Sequence, residues 1–309
     1  MRIILVGQAA FAEQVLNRLV ADGHEVLAVY CPPDVSPERP DPVKARAEAL
    51  GIPVRQHASL KKPEVEQEWR DLQADLAVLA YVTQIVPPRV FQIPRLGAIC
   101  FHPSLLPKYR GGSAIPWQII KGETQSGVTV FWVDEGIDTG PILLQKTATI
   151  DPDDTAASLY FNKLFPLGVE AVAEAVQLIA EGRAPRIPQD ESQATYDPLC
   201  RDESAAIHWR RPIDELYNLV RGCDPNPGAY CLWKGRKLRF FDARKAEYTG
   251  SAAPGTVLQL DEQGIVVAAV GGALRARRLR WDPGVKRPAQ EVAKEAGIQP
   301  GDSFLVEAT

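Results

Sequence analysis

The first half of the chain alternates short apolar runs with segments of helical periodicity. Residues 2–7 (RIILVG) and 75–82 (DLAVLAYV) are almost continuously apolar, which is typical of strands buried on both faces of a parallel sheet. Further strands are predicted at 25–31, 54–57 and 97–101, with helices near 9–22, 43–50, 63–73 and 87–92. This repeating order predicts an α/β fold with an open, mostly parallel sheet and helices on both faces.

The second half of the chain has a different order of predicted elements. A helix at 113–122, two strands at 126–134 and 140–150 joined by a tight turn, and a long helix at 155–182 are predicted first. Residues 183–205 are polar and rich in proline, which indicates a linker on the surface. Short strands then follow at 237–243, 255–260, 264–270 and 273–281, a pattern typical of a small β-barrel.

These patterns predict two domains in the 309 residues. The first spans residues 1–182 and would carry the site. Residues 183–203 form the linker, and residues 204–309 form the C-terminal β-barrel domain. In an open α/β sheet, ligands bind at the carboxyl ends of the strands, so the chemistry is expected in the first domain.

Composition narrows the class of protein. Hydrophobic residues make up 45% and charged residues 24%, and the net charge is −4, so the chain as a whole is not built to bind polyanions. No run of 18 apolar residues and no signal-peptide pattern occurs, so no membrane association is expected. The five cysteines are scattered and lack CxxC spacing, which predicts neither a disulfide framework nor a zinc site and favours a cytoplasmic location.

Two residues stand out as candidates for chemistry. His102 follows the predicted strand 97–101 directly, and Asp138 lies in the turn VDEGIDTGP (133–141). A carboxylate beside an imidazole favours its charged form and fixes its orientation, so the pair could deprotonate a water and stabilise an oxyanion. The alternative is structural: a histidine at a strand end is commonly a hydrogen-bonding residue, and Asp138 would suit an Asx turn.

Two other features of the sequence give weaker indications of a functional site. The strand-to-helix turn VGQAAF (6–11) has one glycine and no GxGxxG pattern, so no NAD(P) site is expected. Cys100 lies two residues before His102 and points to the same side of its strand. We interpret it as a buried structural cysteine and not as a nucleophile.

The segments HPSLLPKYRGGSAI (102–115) and VDEGIDTGPILLQ (133–145) together resemble the folate-dependent formyltransferase family, which includes the methionyl-tRNA formyltransferases. Over residues 1–245 the chain is most similar to one branch, the N-terminal hydrolase domain of 10-formyltetrahydrofolate dehydrogenase. The resemblance implies a Rossmann-like formyltransferase fold followed by an OB-like barrel. The 309 residues hold no carrier or aldehyde dehydrogenase domain, so no oxidation with a nicotinamide cofactor is expected.

The resemblance also assigns residues to the site. It makes His102 and Asp138 catalytic, and it places Cys100 where most of the family has an asparagine that donates a hydrogen bond to the formyl oxygen. A thiol is a weak donor, and losing one oxyanion donor lowers a rate by about 10²–10³. It implies folate contacts at Thr83, Gln84, Ile85, Val86, Cys100, Ser104, Val133, Asp134, Glu135 and Gly136, and no metal.

The sequence therefore predicts an enzyme that hydrolyses 10-formyltetrahydrofolate to tetrahydrofolate and formate. One alternative is transfer of the formyl group to an amine acceptor, such as methionyl-tRNA, an aminosugar or another small amine. The other is a folate-binding protein without activity. Residues 204–309 hold 16 basic against 12 acidic residues, so tRNA remains an alternative acceptor. However, loop 32–42 has one arginine and no lysine, and a tRNA contact should be more basic.

Overall fold

The computed structural model describes residues 1–36 and 38–305, and it contains two compact units. The first unit comprises Met1–Gly111, Ser126–Ala148 and Asn162–Tyr196. The second comprises Gly112–Gln125, Thr149–Phe161 and the chain from Asp197 onward. The last four residues of the predicted C-terminal domain, 306–309, lie outside the described residues. The predicted domain boundaries at 182 and 204 stay a prediction.

Strands and helices alternate up to residue 102. They are β1 (Arg2–Gly7), α1 (Ala9–Ala21), β2 (Glu25–Cys31), α2 (Pro42–Ala49), β3 (Val54–Gln56), α3 (Pro63–Leu72), β4 (Leu76–Ala80), α4 (Pro88–Phe91) and β5 (Ala98–His102). The predicted elements of this part are all present, with bounds shifted by one or two residues. Asp41 shows how local sequence sets one boundary, because its carboxylate accepts the N–H of Val43 and caps α2.

The rest of the chain adds eight strands and five helices within the described residues. They are α5 (Ala114–Ile120), β6 (Gln125–Trp132), β7 (Ile142–Thr149), α6 (Ala156–Leu159), α7 (Phe165–Ala180), α8 (Ile213–Gly222), β8 (Ala229–Trp233), β9 (Arg236–Ala246), β10 (Val257–Asp261), β11 (Gly264–Ala269), β12 (Gly272–Trp281), β13 (Arg287–Pro288) and α9 (Ala289–Ala296). A π-helical turn, Tyr160–Leu164, connects α6 to α7.

The first unit is built on a seven-stranded sheet in the order β3-β2-β1-β4-β5-β6-β7. Strands β1 to β5 pair in parallel, which confirms the predicted mostly parallel sheet. The central strand β4 is buried at every position. Helix α7 packs closely on this sheet at Gly168, where a Cβ atom would lie 2.4 Å from the ring of Phe101. Only a glycine therefore fits there.

Strand β6 runs antiparallel to β5, with Ile99 opposite Trp132 and His102 opposite Thr129. The turn after β6 consequently starts beside the amino end of β5, where the Val133 N–H donates to the Ala98 carbonyl. To reach His102 at the other end, this turn must cross about 13 Å, the rise of four strand residues. The antiparallel pairing thus folds the 133–141 turn back over β5.

The second unit contains an antiparallel sheet in the order β10-β11-β12-β9-β8, with β13 paired to β12. Its core includes Trp209, whose ring stacks on Phe304 with centroids 5.9 Å apart. The predicted short strands are confirmed, and closure of this sheet into a barrel stays a prediction.

Two helices of the second unit, α8 and α9, were not predicted. In α8 the buried residues Ile213, Leu216, Tyr217 and Val220 recur at helical spacing. The helical spacing is present in the sequence, but the strand signals around it are stronger. No helix in the described part of the chain has the length and apolarity to cross a membrane. No group of three or more potential metal ligands occurs there either.

Candidate functional site

His102 is the last residue of β5 and is only 6% exposed. Its Nε2 lies 2.7 Å from the carbonyl oxygen of Tyr109. A carbonyl can only accept, so Nε2 carries the hydrogen and donates it. The other ring nitrogen, Nδ1, faces Asp138. The backbone of the following loop thus fixes which nitrogen is free for chemistry.

Asp138 lies beside this free nitrogen. Its Oδ2 is 3.5 Å from His102 Nδ1 and accepts the backbone N–H of Gly111 at 2.8 Å. Its Oδ1 has no hydrogen bond to any residue that the structure describes, and its side chain is 16% exposed. One carboxylate oxygen is therefore held in place while the other can bind a water or a substrate group.

The turn that carries Asp138 is tightly built. Asp134 Oδ1 accepts the Gly136 N–H at 3.0 Å and the Thr139 hydroxyl at 2.6 Å, which forms an Asx turn. Asp138 itself has a φ of +57°, in the left-handed region. At Gly140 a Cβ atom would lie 1.6 Å from the Trp132 carbonyl oxygen. The turn therefore approaches β6 more closely than any other residue type would allow at position 140.

Residues 187–196, here called the clamp segment, hold this turn from outside. The side-chain amide of Gln189 donates to the carbonyl oxygens of Asp138 (2.9 Å) and Gly140 (2.7 Å). Ile187 exchanges backbone hydrogen bonds with Ile142 at the start of β7. The clamp segment therefore fixes the backbone on both sides of the Asp138 carboxylate.

The same segment holds the loop after His102 through Arg110. The Arg110 side chain is almost fully buried and donates to Gln189 Oε1 from Nε (3.1 Å) and Nη2 (2.8 Å). Its guanidinium also makes a two-pronged ion pair with Glu191. These hydrogen bonds raise the pKa of Arg110 and lower that of Glu191. Gln189 thus connects a buried cation to the Asp138 turn.

The loop between His102 and Arg110 is fixed by further contacts. The Tyr109 N–H donates to the Thr195 hydroxyl at 2.7 Å, and Tyr109 has a φ of +57°. Ser104 is fully buried, and its hydroxyl donates to the Lys108 carbonyl at 2.7 Å. Ser104 therefore braces the loop in this structure, and its predicted folate contact stays a prediction.

Cys100 lies on β5 beneath the returning turn, in register with Leu79 of β4 and Phe131 of β6. Its thiol makes a weak contact of 3.5 Å with the Phe101 carbonyl. Burial raises the pKa of this thiol, and the nearby Asp138 carboxylate raises it further. Cys100 is therefore neutral and offers only a weak S–H donor to the site.

The predicted folate contacts fall in two segments. Thr83 and Gln84 line a narrow cleft at the carboxyl ends of β1, β2 and β4, where Thr83 donates to Gln8. Beyond them Ile85 is 61% exposed and Val86 is buried. The second segment, 133–136, begins the Asp138 turn and does not line this cleft. The structure brings His102, Asp138 and Cys100 together, whereas these contacts stay a prediction.

Sequence reasoning missed the clamp segment and described it as part of a surface linker. Gln189 is 51 residues from Asp138, and Glu191 is 81 residues from Arg110. No local sequence pattern predicts contacts between residues so far apart in the chain. The available signal was chemical: a run containing Gln189, Glu191, Thr195 and Tyr196 offers many side-chain partners for a loop that contains a buried arginine.

Two family models match the chain. The model described as formyl transferase covers residues 1–176, and the model described as formyl transferase, C-terminal domain covers residues 200–297. Together they account for most of both compact units.

Curated relatives include members of two groups. The chain is 38% identical over 313 residues to cytosolic 10-formyltetrahydrofolate dehydrogenase of Xenopus laevis, with 96% of this chain and 34% of the relative aligned. It is 39% identical to methionyl-tRNA formyltransferase of Geotalea daltonii, with 94% and 93% aligned. The chain thus spans about a third of the dehydrogenase and nearly all of the transferase.

Solved structures give the same fold. HypX from Aquifex aeolicus in complex with tetrahydrofolic acid superimposes with a TM-score of 0.71 at 22% identity, covering 97% of this chain and 48% of HypX. An N-formyltransferase from Helicobacter canadensis superimposes with a TM-score of 0.69 at 20% identity, covering 89% and 98%.

Proposed function

Since this chain belongs to the formyl transferase family of enzymes, as its two sequence motifs predicted, we propose that it hydrolyses 10-formyltetrahydrofolate to tetrahydrofolate and formate. The observation that carries this proposal is the pairing of His102 with Asp138 beside a thiol. The pair can activate water, and Cys100 stands where an amide donor would favour formyl transfer.

The proposed chemistry begins with a water bound to the free Oδ1 of Asp138. The carboxylate accepts a proton from this water as its oxygen attacks the formyl carbon. The carbonyl oxygen becomes an oxyanion, and the Nδ1–H of a charged His102 stabilises it. Because Nε2 is occupied by the Tyr109 carbonyl, Nδ1 is the ring nitrogen left for this role.

Collapse of the tetrahedral intermediate breaks the bond between the formyl carbon and N10 of the folate. The leaving nitrogen takes up the proton that Asp138 received, and formate and tetrahydrofolate are released. No metal and no nicotinamide takes part in these steps. We place the folate against the segments 83–86 and 133–136, since the second of these leads directly into Asp138. We expect the reaction in the cytoplasm, where the five free cysteines would remain reduced.

A second candidate is transfer to an amine. It is supported by the near full-length alignment with methionyl-tRNA formyltransferase. Attack by an amine uses the same carbonyl polarisation, so His102 and Asp138 would keep their roles. Hydrolysis is favoured because the neutral Cys100 thiol replaces the amide donor that the family resemblance assigns to this position. A folate-binding protein without turnover is the remaining alternative.

The test is turnover of purified protein with 10-formyltetrahydrofolate and no acceptor, followed by release of tetrahydrofolate and formate. His102→Ala and Asp138→Asn should each lower kcat by at least 10². His208→Ala changes an exposed histidine and should leave kcat unaltered. Folate binding without formate release would refute the hydrolase. Charged initiator tRNA and then small amines would next be added as acceptors.

A further inference from the structure

Two cysteines that are 23 residues apart in sequence meet in the second unit. The Sγ atoms of Cys200 and Cys223 lie 3.8 Å apart. Cys223 follows the last residue of α8 and is fully buried, whereas Cys200 is half-buried on the segment that begins at Asp197. No other pair of thiols in the described residues lies within hydrogen-bonding distance.

Cys200 also lines an open cavity of about 500 Å³. Ser113, Pro116, Arg201, Asp202, Asn226 and Pro227 are among the other residues that line it. The Cys200 backbone N–H donates to the Ser113 hydroxyl at 3.0 Å, which holds the cysteine at this wall. The half-buried Cys200 is thus the member of the pair nearer to solvent, while Cys223 is buried.

The contact makes the two thiols chemically different. Either sulfur can donate in this contact. When Cys223 donates, the hydrogen bond lowers the pKa of Cys200, because it stabilises the Cys200 thiolate. The same contact and burial raise the pKa of Cys223. The accessible cysteine is thus the better nucleophile, and the buried cysteine keeps its proton until a partner sulfur is oxidised.

We propose that Cys200 and Cys223 form a redox-active pair that hydrogen peroxide oxidises to a disulfide. The Cys200 thiolate attacks peroxide, which breaks the O–O bond and gives a sulfenic acid and hydroxide. The Cys223 sulfur then attacks the sulfenic sulfur, its proton leaves with the hydroxyl as water, and the S–S bond forms. Two thiols and one peroxide thus give one disulfide and two waters, with two electrons passing from sulfur to oxygen.

The geometry requires a small movement. The sulfurs must approach from 3.8 Å to about 2.05 Å. The bond would tie the segment from Asp197 to the end of α8 and fix one wall of the cavity. The other cysteines differ: burial raises the pKa of Cys31 to about 11 and also raises that of Cys231, and neither has a second thiol beside it.

The test is a peroxide time course on the full chain with peptide mapping and intact mass. We expect a loss of about 2 Da located at the Cys200–Cys223 pair and reversed by dithiothreitol. Cys200 should react at least tenfold faster than Cys31 or Cys231. This measurement on the unaltered chain does not depend on any variant folding.

Three variants sharpen the result. Cys223→Ser should stop at a sulfenic acid on Cys200 that dimedone traps, Cys200→Ser should show no 2 Da loss, and Cys231→Ser should behave as the unaltered chain. The proposal is overturned if, once Cys31 has been oxidised, the chain is denatured and both Cys200 and Cys223 still react with maleimide. It is also overturned if Cys200 is driven to sulfinic acid without an intervening disulfide, because the 3.8 Å contact would then be structural only.

Discussion

Gln189→Leu loosens the contact between the clamp segment and the turn that carries Asp138, and it alters neither of the two proposed catalytic residues, His102 and Asp138. The substitution keeps the approximate volume of the side chain and removes four hydrogen bonds, two donated to the Asp138 turn and two accepted from Arg110. A neutral hydrogen bond contributes about 1 kcal/mol net. The turn is therefore held less strongly by about 2 kcal/mol, which lowers the ratio of aligned to misaligned carboxylate by up to roughly 30-fold.

We expect kcat for formate release to fall about ten- to thirtyfold, because Gln189 is half-buried and water replaces part of what is lost. The KM for the folate should change much less. Gln189→Glu tests the two sets of hydrogen bonds separately. A carboxylate still accepts from Arg110, but it cannot donate to the Asp138 and Gly140 carbonyls. It should lower kcat as much as leucine does. Gln193→Leu is the matched control, because Gln193 is exposed in the same segment.

The assay is steady-state kinetics at a temperature where thermal unfolding shows every variant to be fully folded. The reasoning is refuted if Gln189→Leu retains a kcat within twofold of the unaltered chain. It is equally refuted if Gln189→Glu is fully active while leucine is not, since the bonds to Arg110 and not those to the turn would then matter.

The remaining predictions concern the thiol, the turn and nucleic acid. Cys100→Asn should raise formyl turnover at least tenfold by supplying an amide donor. Cys100→Ala should turn over within a few-fold of the unaltered chain. Equal rates for all three chains would contradict the role given to this position. In Gly140→Ala the added Cβ would lie 1.6 Å from the Trp132 carbonyl. This substitution should lower the Tm by several degrees more than Gly182→Ala, which adds left-handed strain but no contact. Initiator tRNA should not be retarded by the chain in a gel shift at 150 mM salt, and a shift there would favour the transferase.

The elements of the first unit could be predicted because burial alone determines them. Strands such as β1 and β4 lie between two layers of helix, and their continuous apolar runs record this. His102 could be singled out because an imidazole at the end of a buried strand is unusual. Asp138 followed from its motif. Sequence could not show that its turn starts at the amino end of β5, since that depends on the antiparallel pairing of β6.

What could not be predicted depends on contacts between distant parts of the chain. The clamp segment has no apolar periodicity because it forms hydrogen bonds with its side chains and not a packed face. The pairing of Cys200 with Cys223 was likewise invisible, because cysteine spacing identifies only local motifs. Helix α8 is different, because the helical spacing of its apolar residues is present in the sequence.

The separation of the clamp segment from the residues it holds has a consequence for folding and for dissecting the protein. The strands of the seven-stranded sheet are complete by Thr149, yet the partners of Arg110 and of the Asp138 turn arrive only at 187–196. A fragment that ends at residue 182 would keep every strand of that sheet and lose those partners. During synthesis, the sheet can form well before the proposed catalytic pair is aligned, because long-range contacts close late. An inactive fragment of this kind would therefore say nothing against His102 and Asp138.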